Sequence, residues 1–243
     1  MKILALDTAT EACSVALLVD GRVIAREMEF ERGHAEHILP MVDAVLAEGG
    51  VALGALDALA FGRGPGGFTG VRLAASVTQG LAFAAALPVV AISDLAAVAQ
   101  RGLDLEPATD RILVCNDARM QEVYWACFER DRAGFAALVG VEHVGPADSV
   151  GLPEHWLSGA RAAPIGAIGR GFRAYEQLRS KLLTPIDGQP PIVHLISDAI
   201  LPRAQEIARL AVPEVESGRT VRAEQAIPVY LRDDVARPQP SRN

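Results

Sequence analysis

An order of apolar runs and polar turns opens this chain and begins again after residue 110, and that recurrence constrains the fold more than any other feature. Ile3, Leu4, Ala5 and Leu6 lead into Asp7, and the polar turn Thr8-Ala9-Thr10-Glu11 leads to a second apolar run at 13–19. Asp20-Gly21 then reads as a two-residue hairpin turn, because glycine tolerates the positive φ such turns need, and residues 22–30 complete three consecutive strands. The pattern restarts with Ile112 to Cys115, the turn Asn116-Asp117-Ala118-Arg119, and strand-like runs at 122–129 and 135–144.

Between the two copies the period changes. Ile38, Met41, Val42, Val45 and Leu46 fall at i, i+3, i+4, i+7 and i+8, one face of a helix that Gly49-Gly50 ends. Residues 56–61 predict a strand running straight into Gly62-Arg-Gly-Pro-Gly-Gly-Phe-Thr-Gly70. Thr69 is placed to cap the next helix, which turns Val71, Ala74, Ala75, Thr78, Leu81, Ala82 and Ala85 toward its neighbours. Gly70, Ala74, Ser76, Gly80 and Ala84 keep that helix narrow, so another helix can approach closely. Pro88 ends it, residues 89–92 form a strand, and Ser93 or Asp94 caps a further helix. Later helices are expected around 172–182 and 202–211, with a strand at 192–196 between them. The order β-β-β-α-β-α-β-α, a break at 104–110 and a second copy predict an α/β fold of two related lobes, each a mixed sheet covered by helices. The expected divisions are 1–103, 104–236 and a disordered tail at 237–243.

Half of the 243 residues are hydrophobic but only 5% are aromatic, so the core must be built from Ala, Val, Leu and Ile. A net charge of −7 argues against this chain alone supplying the main electrostatic surface for a nucleic acid, while leaving room for membership of a complex that binds one. Residues 73–93 carry no charge, yet the stretch is rich in alanine, includes Ser76, Thr78, Gln79 and Gly80, and is broken by Pro88. It reads as a buried helix followed by a buried strand, not a membrane span. The N-terminus lacks the ordered regions of a signal peptide, and Cys13, Cys115 and Cys127 sit apart in apolar runs, as buried reduced thiols of a cytoplasmic protein would.

Three constellations could carry chemistry. The glycine loop is one residue away from the phosphate-loop pattern, with Phe68 at the lysine position, which removes the charge that would reach terminal phosphates. Its strand-loop-helix setting could still offer backbone N–H groups to an anion; the alternative is a tight structural turn. Asp7 with Thr8 and Thr10 suits a metal-bound phosphate or, equally, a β-turn satisfying its own amides. The candidate nucleotide or phosphate contacts are thus Asp7, Thr8, Thr10, Gly64, Gly66, Gly67 and Thr69. His34 and His37 share an i, i+3 spacing that could face one metal, but no third ligand is dictated, and a solvated or interface-lining pair is favoured. No catalytic set of the Ser-His-Asp kind can be assembled.

Taken together, Ile3-Leu-Ala-Leu-Asp-Thr-Ala-Thr10, His34-Ala-Glu-His-Ile-Leu-Pro40, Gly64-Pro-Gly-Gly-Phe-Thr-Gly-Val-Arg72, Asp117-Ala-Arg-Met-Gln-Glu-Val-Tyr124 and Pro228-Val-Tyr-Leu-Arg232 resemble the TsaB family. The match covers most of residues 1–130 and the C-terminal signature; Gly67 stands where that family usually has serine. The resemblance implies a two-lobed ribonuclease-H-like, actin-like ATPase fold. It also implies a non-catalytic subunit that pairs with its paralogue TsaD, works with the ATPase TsaE, and supports threonylcarbamoyl transfer to the adenosine beside the tRNA anticodon. It implies a homodimer when isolated, tRNA reached through the complex, no intrinsic cofactor or metal, and ATP or ADP at the shared surface. The expected partner face draws on both helices: His34, His37, Ile38, Met41, Val42, Val45, Phe68, Val71, Arg72, Ala75 and Thr78. The catalytic paralogue carries an H-x-x-x-H metal motif after its own glycine loop, whereas residues 89–98 here contain no histidine. The alternative reading is an autonomous ATP-dependent kinase or metallopeptidase of the same superfamily.

Overall fold

The computed structural model describes residues 1–157, 164–184, 191 and 193–232. Strands β1 (Lys2–Asp7), β2 (Ala12–Val19), β3 (Arg22–Glu29), β4 (Ala58–Gly62) and β5 (Val89–Ile92) form one sheet in the order β3-β2-β1-β4-β5. The hairpin strands pair antiparallel, while β1-β4 and β4-β5 are parallel through the crossover helices α1 (His34–Gly49) and α2 (Phe68–Ala85). The second sheet repeats this plan with β6 (Arg111–Asp117), β7 (Glu122–Arg130), β8 (Ala136–Pro146), β9 (Ile165–Ile168) and β10 (Val193–Ser197), in the order β10-β9-β6-β7-β8. Short helices α4 (Glu154–Leu157), α5 (Gly171–Ala174) and α6 (Glu176–Leu183) lie between its later strands. The α/β reading with two related mixed sheets therefore holds. Strand β9, only four residues long, and helix α4 were not legible as periodic segments.

Both faces of the first sheet are covered, which is why β1 is apolar at consecutive positions instead of alternating. Leu4, Leu6, Leu59 and Phe61 meet Ile38, Val42 and Val45 of α1 and Ala74, Ala75 and Ala82 of α2 on one face. Ile3, Ala5, Ala60 and Val90 point to the other face. There they meet Ala204, Ile207, Ala208 and Ala211 of α7 (Ala204–Glu216), whose first N–H donates to buried Ser14 Oγ at 2.9 Å. Conversely, Leu95, Val98, Ala99 and Leu103 of α3 (Asp94–Leu105) pack on Ile112, Val114, Phe128 and Ile168 of the second sheet. Gln100 fixes α3 further by accepting from Ala136 N–H at 2.9 Å.

The last helix of each half thus covers the sheet of the other half. A division at residue 103 puts both helices with the wrong sheet, because an apolar helical face says that something covers it and not what does. Two local readings also change. Gly67, not Thr69, is the N-cap of α2 and makes no side-chain cap, while Ser93 caps α3 by accepting from Leu95 and Ala96 N–H. The uncharged stretch 73–93 is part of α2 and β5, and among the described residues no helix is long and apolar enough to cross a membrane. The tail at 237–243 lies outside the described residues.

Candidate functional site

The β1–β2 turn and the β6–β7 turn face each other across a cleft of about 810 Å³. Thr8, Ala9, Thr10 and Glu11 line one wall, Asn116, Asp117, Ala118 and Arg119 the other, with residues 65–70 and the C-terminal segment 229–232 closing the sides. The candidate contacts Thr8, Thr10, Gly66, Gly67 and Thr69 border this cavity; Asp7 and Gly64 do not.

Asp7 is fully buried beside Asp94, which is also fully buried at the start of α3. Asp7 Oδ1 accepts from Ala9 N–H at 2.9 Å, and Asp94 Oδ2 accepts from Gly64 N–H. Burial lifts the Asp7 carboxyl to about 6; burial, and next the charge of Asp7, push Asp94 well above the carboxylate range. Asp7 Oδ2 and Asp94 Oδ1 are buried with no hydrogen-bond partner, and a proton shared between the two raised acids is the arrangement that relieves them. The fold family implies a nucleotide with a divalent cation, and the chemistry of this donor set does not fit a cation held by Asp7. Its carboxyl does not border the cleft and lies buried beside a second acid that burial pushes well above the carboxylate range.

The glycine loop is likewise committed to its own chain. The Ala9 carbonyl accepts from Gly67 N–H at 2.7 Å, and Thr8 Oγ1 donates to the Gly70 carbonyl at 2.7 Å. A methyl group on Gly70 would lie 2.0 Å from the Thr8 carbonyl oxygen, and one on Gly66 would lie 2.5 Å from that of Ala9. Glycine is required there because the β1–β2 turn crosses the loop backbone to backbone. The structural-turn alternative therefore describes the loop better than an open anion cradle. Thr10 accepts from Ala12 N–H at 3.2 Å, and its carbonyl meets His34 Nε2 at 2.9 Å. His37 stacks on Phe30 with ring centroids 4.4 Å apart. His34 meets the same Phe30 ring edge-on at 5.9 Å, so both histidines pack on one aromatic ring, and no metal-competent group of three His, Cys, Asp or Glu occurs among the described residues.

The comparisons with known proteins agree with one another. A family model described as "TsaD: tRNA N6-adenosine threonylcarbamoyltransferase" matches residues 28–176. The "tRNA threonylcarbamoyladenosine biosynthesis protein TsaB" of Escherichia coli is 41% identical, covering 97% of this chain and 96% of its own. Its Haemophilus influenzae namesake is 40% identical over 97% and 95%. This chain belongs to the TsaB family. The solved structure of "YeaZ from Pseudomonas aeruginosa" superposes with a TM-score of 0.82 at 46% identity, over 95% of this chain and 99% of that one, in keeping with the two-lobe actin-like, ribonuclease-H-like fold.

Within this TsaB-family fold, the residues expected on the partner face divide sharply. Ile38, Met41, Val42, Val45, Val71, Ala75 and Thr78 are buried within the chain itself. The apolar stripe of each helix is the stripe that seals its own sheet. What α1 and α2 offer outward is Leu39, half exposed, and Phe83, 82% exposed, among small residues such as Ala44, Ala47, Gly80 and Ala84. Phe68 and Arg72 do reach the surface, where the Arg72 guanidinium lies 3.2 Å over the Phe68 ring and 5.0 Å from that of Tyr230. Sequence reasoning missed Asp94 as more than a cap, and missed Glu11, Arg119 and Arg170 as ion-pair partners. None has a local pattern that signals its role, because each partner lies far away in the chain.

Proposed function

We propose that this chain is a non-catalytic subunit for threonylcarbamoyladenosine formation in tRNA, acting by pairing with the catalytic paralogue TsaD. The curated relatives carry that biosynthesis in their names. The observation that carries the non-catalytic part is the engagement of Asp7: the acid that could meet a phosphate-bound cation is buried against Asp94, and Gly67 N–H is given to Ala9. Two arginines lining the cleft that could polarise a phosphoryl or carbamoyl group, Arg119 and Arg232, are likewise paired, with Glu11 and Glu122. The pairing surface is the outward face of α1 and α2, where Leu39 and Phe83 stand exposed among small residues that let another helix come close. The same face serves a homodimer when the chain is alone. TsaE and any ATP or ADP belong to the assembled complex, and tRNA is reached through it in the cytoplasm.

The test is reconstitution of the tRNA modification from purified components. Omitting this chain should abolish product, and a rate unchanged by its omission would overturn the reading. Phe83→Glu and Leu39→Glu should stop co-elution with TsaD while the far-UV spectrum and melting temperature stay at wild-type values; retained co-elution would remove this face as the pairing surface.

A further inference from the structure

The two lobes are joined across the cleft on opposite sides by ion pairs of contrasting character. On one side Glu142 of β8, whose side chain is only 6% exposed, accepts from Arg63 Nη2 at 2.9 Å and from Ser93 Oγ. Arg63 and Ser93 directly follow β4 and β5, so this contact joins the first sheet to the edge strand of the second. A buried, charge-assisted contact of this kind is little weakened by salt. On the other side, Glu11 of the β1–β2 turn takes Arg119 Nη2 on Oε1 at 2.5 Å and faces Arg170 Nη1 with Oε2 at 3.5 Å. Arg170 Nη2 also reaches Glu29 at 2.8 Å. These side chains are solvent-accessible, Arg119 to 72%.

Arg119 is held ready for this contact. Asp117 accepts from its backbone N–H at 2.7 Å and from its Nη1 at 3.0 Å, while Tyr175 donates to Asp117 Oδ1 at 2.8 Å. Residues 119, 120 and 121 have φ of 61°, 54° and 65°, three consecutive left-handed residues that are not glycine. Backbone in that region is costly and persists only where its surroundings enforce it. The same turn is gripped a second time by the C-terminal segment. That segment is fixed to the first lobe by Val229 N–H on the Arg63 carbonyl and by Gln79 on the Ala226 carbonyl, and its Arg232 pairs with Glu122 and the Ala118 carbonyl.

We propose that the β6–β7 turn, residues 117–122, is the catch of a clasp between the lobes, with exposed Glu11 as its salt-sensitive bolt and part-buried Arg232 as its second. The cleft opens on this side by pivoting about the buried Glu142 contact and helix α3, which packs on the second sheet while following directly from the first. Glu11, Arg119 and Arg232 all border the cavity, so opening the clasp widens it.

The experiment uses the full chain with spin labels at two pairs of exposed positions, the three native cysteines being buried. Labels at Glu31→Cys and Ala174→Cys span the clasp side; labels at Ala91→Cys and Val141→Cys span the pivot side. In about 1 M salt, where the screening length falls to about 3 Å, and independently in a Glu11→Gln/Arg232→Gln variant, the clasp-side distance measured by pulsed electron resonance should lengthen by roughly 5 Å or more. The pivot-side distance should stay fixed. A clasp-side distance unchanged in salt overturns the proposal even if the variant does not fold, and an equal shift on the pivot side overturns the hinge assignment.

Discussion

The pair Asp7 and Asp94 shows how two acids change character when they are buried together. Each acid alone would be a candidate for phosphate or cation chemistry, but buried side by side they become one proton-sharing unit. Their effect on stability has a definite sign. The folded Asp7 carboxyl sits at about 6 against 3.8 for the free group, so between these values the folded chain holds a proton that the unfolded chain releases. Stability therefore falls as pH rises through that window, by on the order of 3 kcal/mol from this group. Burial and the charge of Asp7 also push Asp94 well above the carboxylate range, so its contribution has the same sign. Asp94→Asn should keep an acceptor for Gly64 N–H and a donor for Asp7 with no proton to retain. We expect the variant to be more stable than wild type by about 1–3 kcal/mol at pH 8, with the advantage shrinking toward pH 4. Urea unfolding at several pH values measures this, and a pH-independent difference would mean that the pair does not share a proton.

Helices α1 and α2 show where periodicity stops being informative. The i, i+3, i+4 pattern located both helices and their buried faces, yet it could not say whether a face is covered by the chain's own sheet or by a partner. The structure gives Ile38, Val42, Val45 and Ala75 to the sheet. Val42→Glu should therefore place a carboxylate in the core, cost more than about 4 kcal/mol and leave little soluble folded protein. Phe83→Glu on the opposite face should change stability by no more than about 0.5 kcal/mol. Denaturant melts of the two variants check the contrast, and equal losses would refute this division of faces. The strands were read more completely, because hairpins with short polar turns are local events. The short strand β9, the capping role of Gly67 and the distant partners of Glu11 and Asp117 depend on residues far along the chain, and no window of sequence carries them.

At the scale of the whole molecule, the exchanged helices α3 and α7 make the two lobes interdependent. The first sheet is sealed by residues 204–211 and the second by residues 95–103, so neither can complete its core alone. Unfolding should be a single cooperative event despite the two sheets. Trp125 and Trp156 both lie in the core of the second half, whereas far-UV ellipticity reports on the entire chain, so the two probes can be compared directly. Their urea midpoints should coincide, and a tryptophan transition clearly separated from the ellipticity transition would show that the halves fold independently. The same exchange has a consequence during synthesis. When α3 leaves the ribosome, one face of the first sheet is still without its cover, and about 100 further residues must be made before α7 arrives, roughly 5–20 s at ordinary elongation rates. For that interval the nascent chain displays Ile3, Ala5, Ala60 and Val90 to whatever holds unfinished proteins, and final folding waits for translation of the second half.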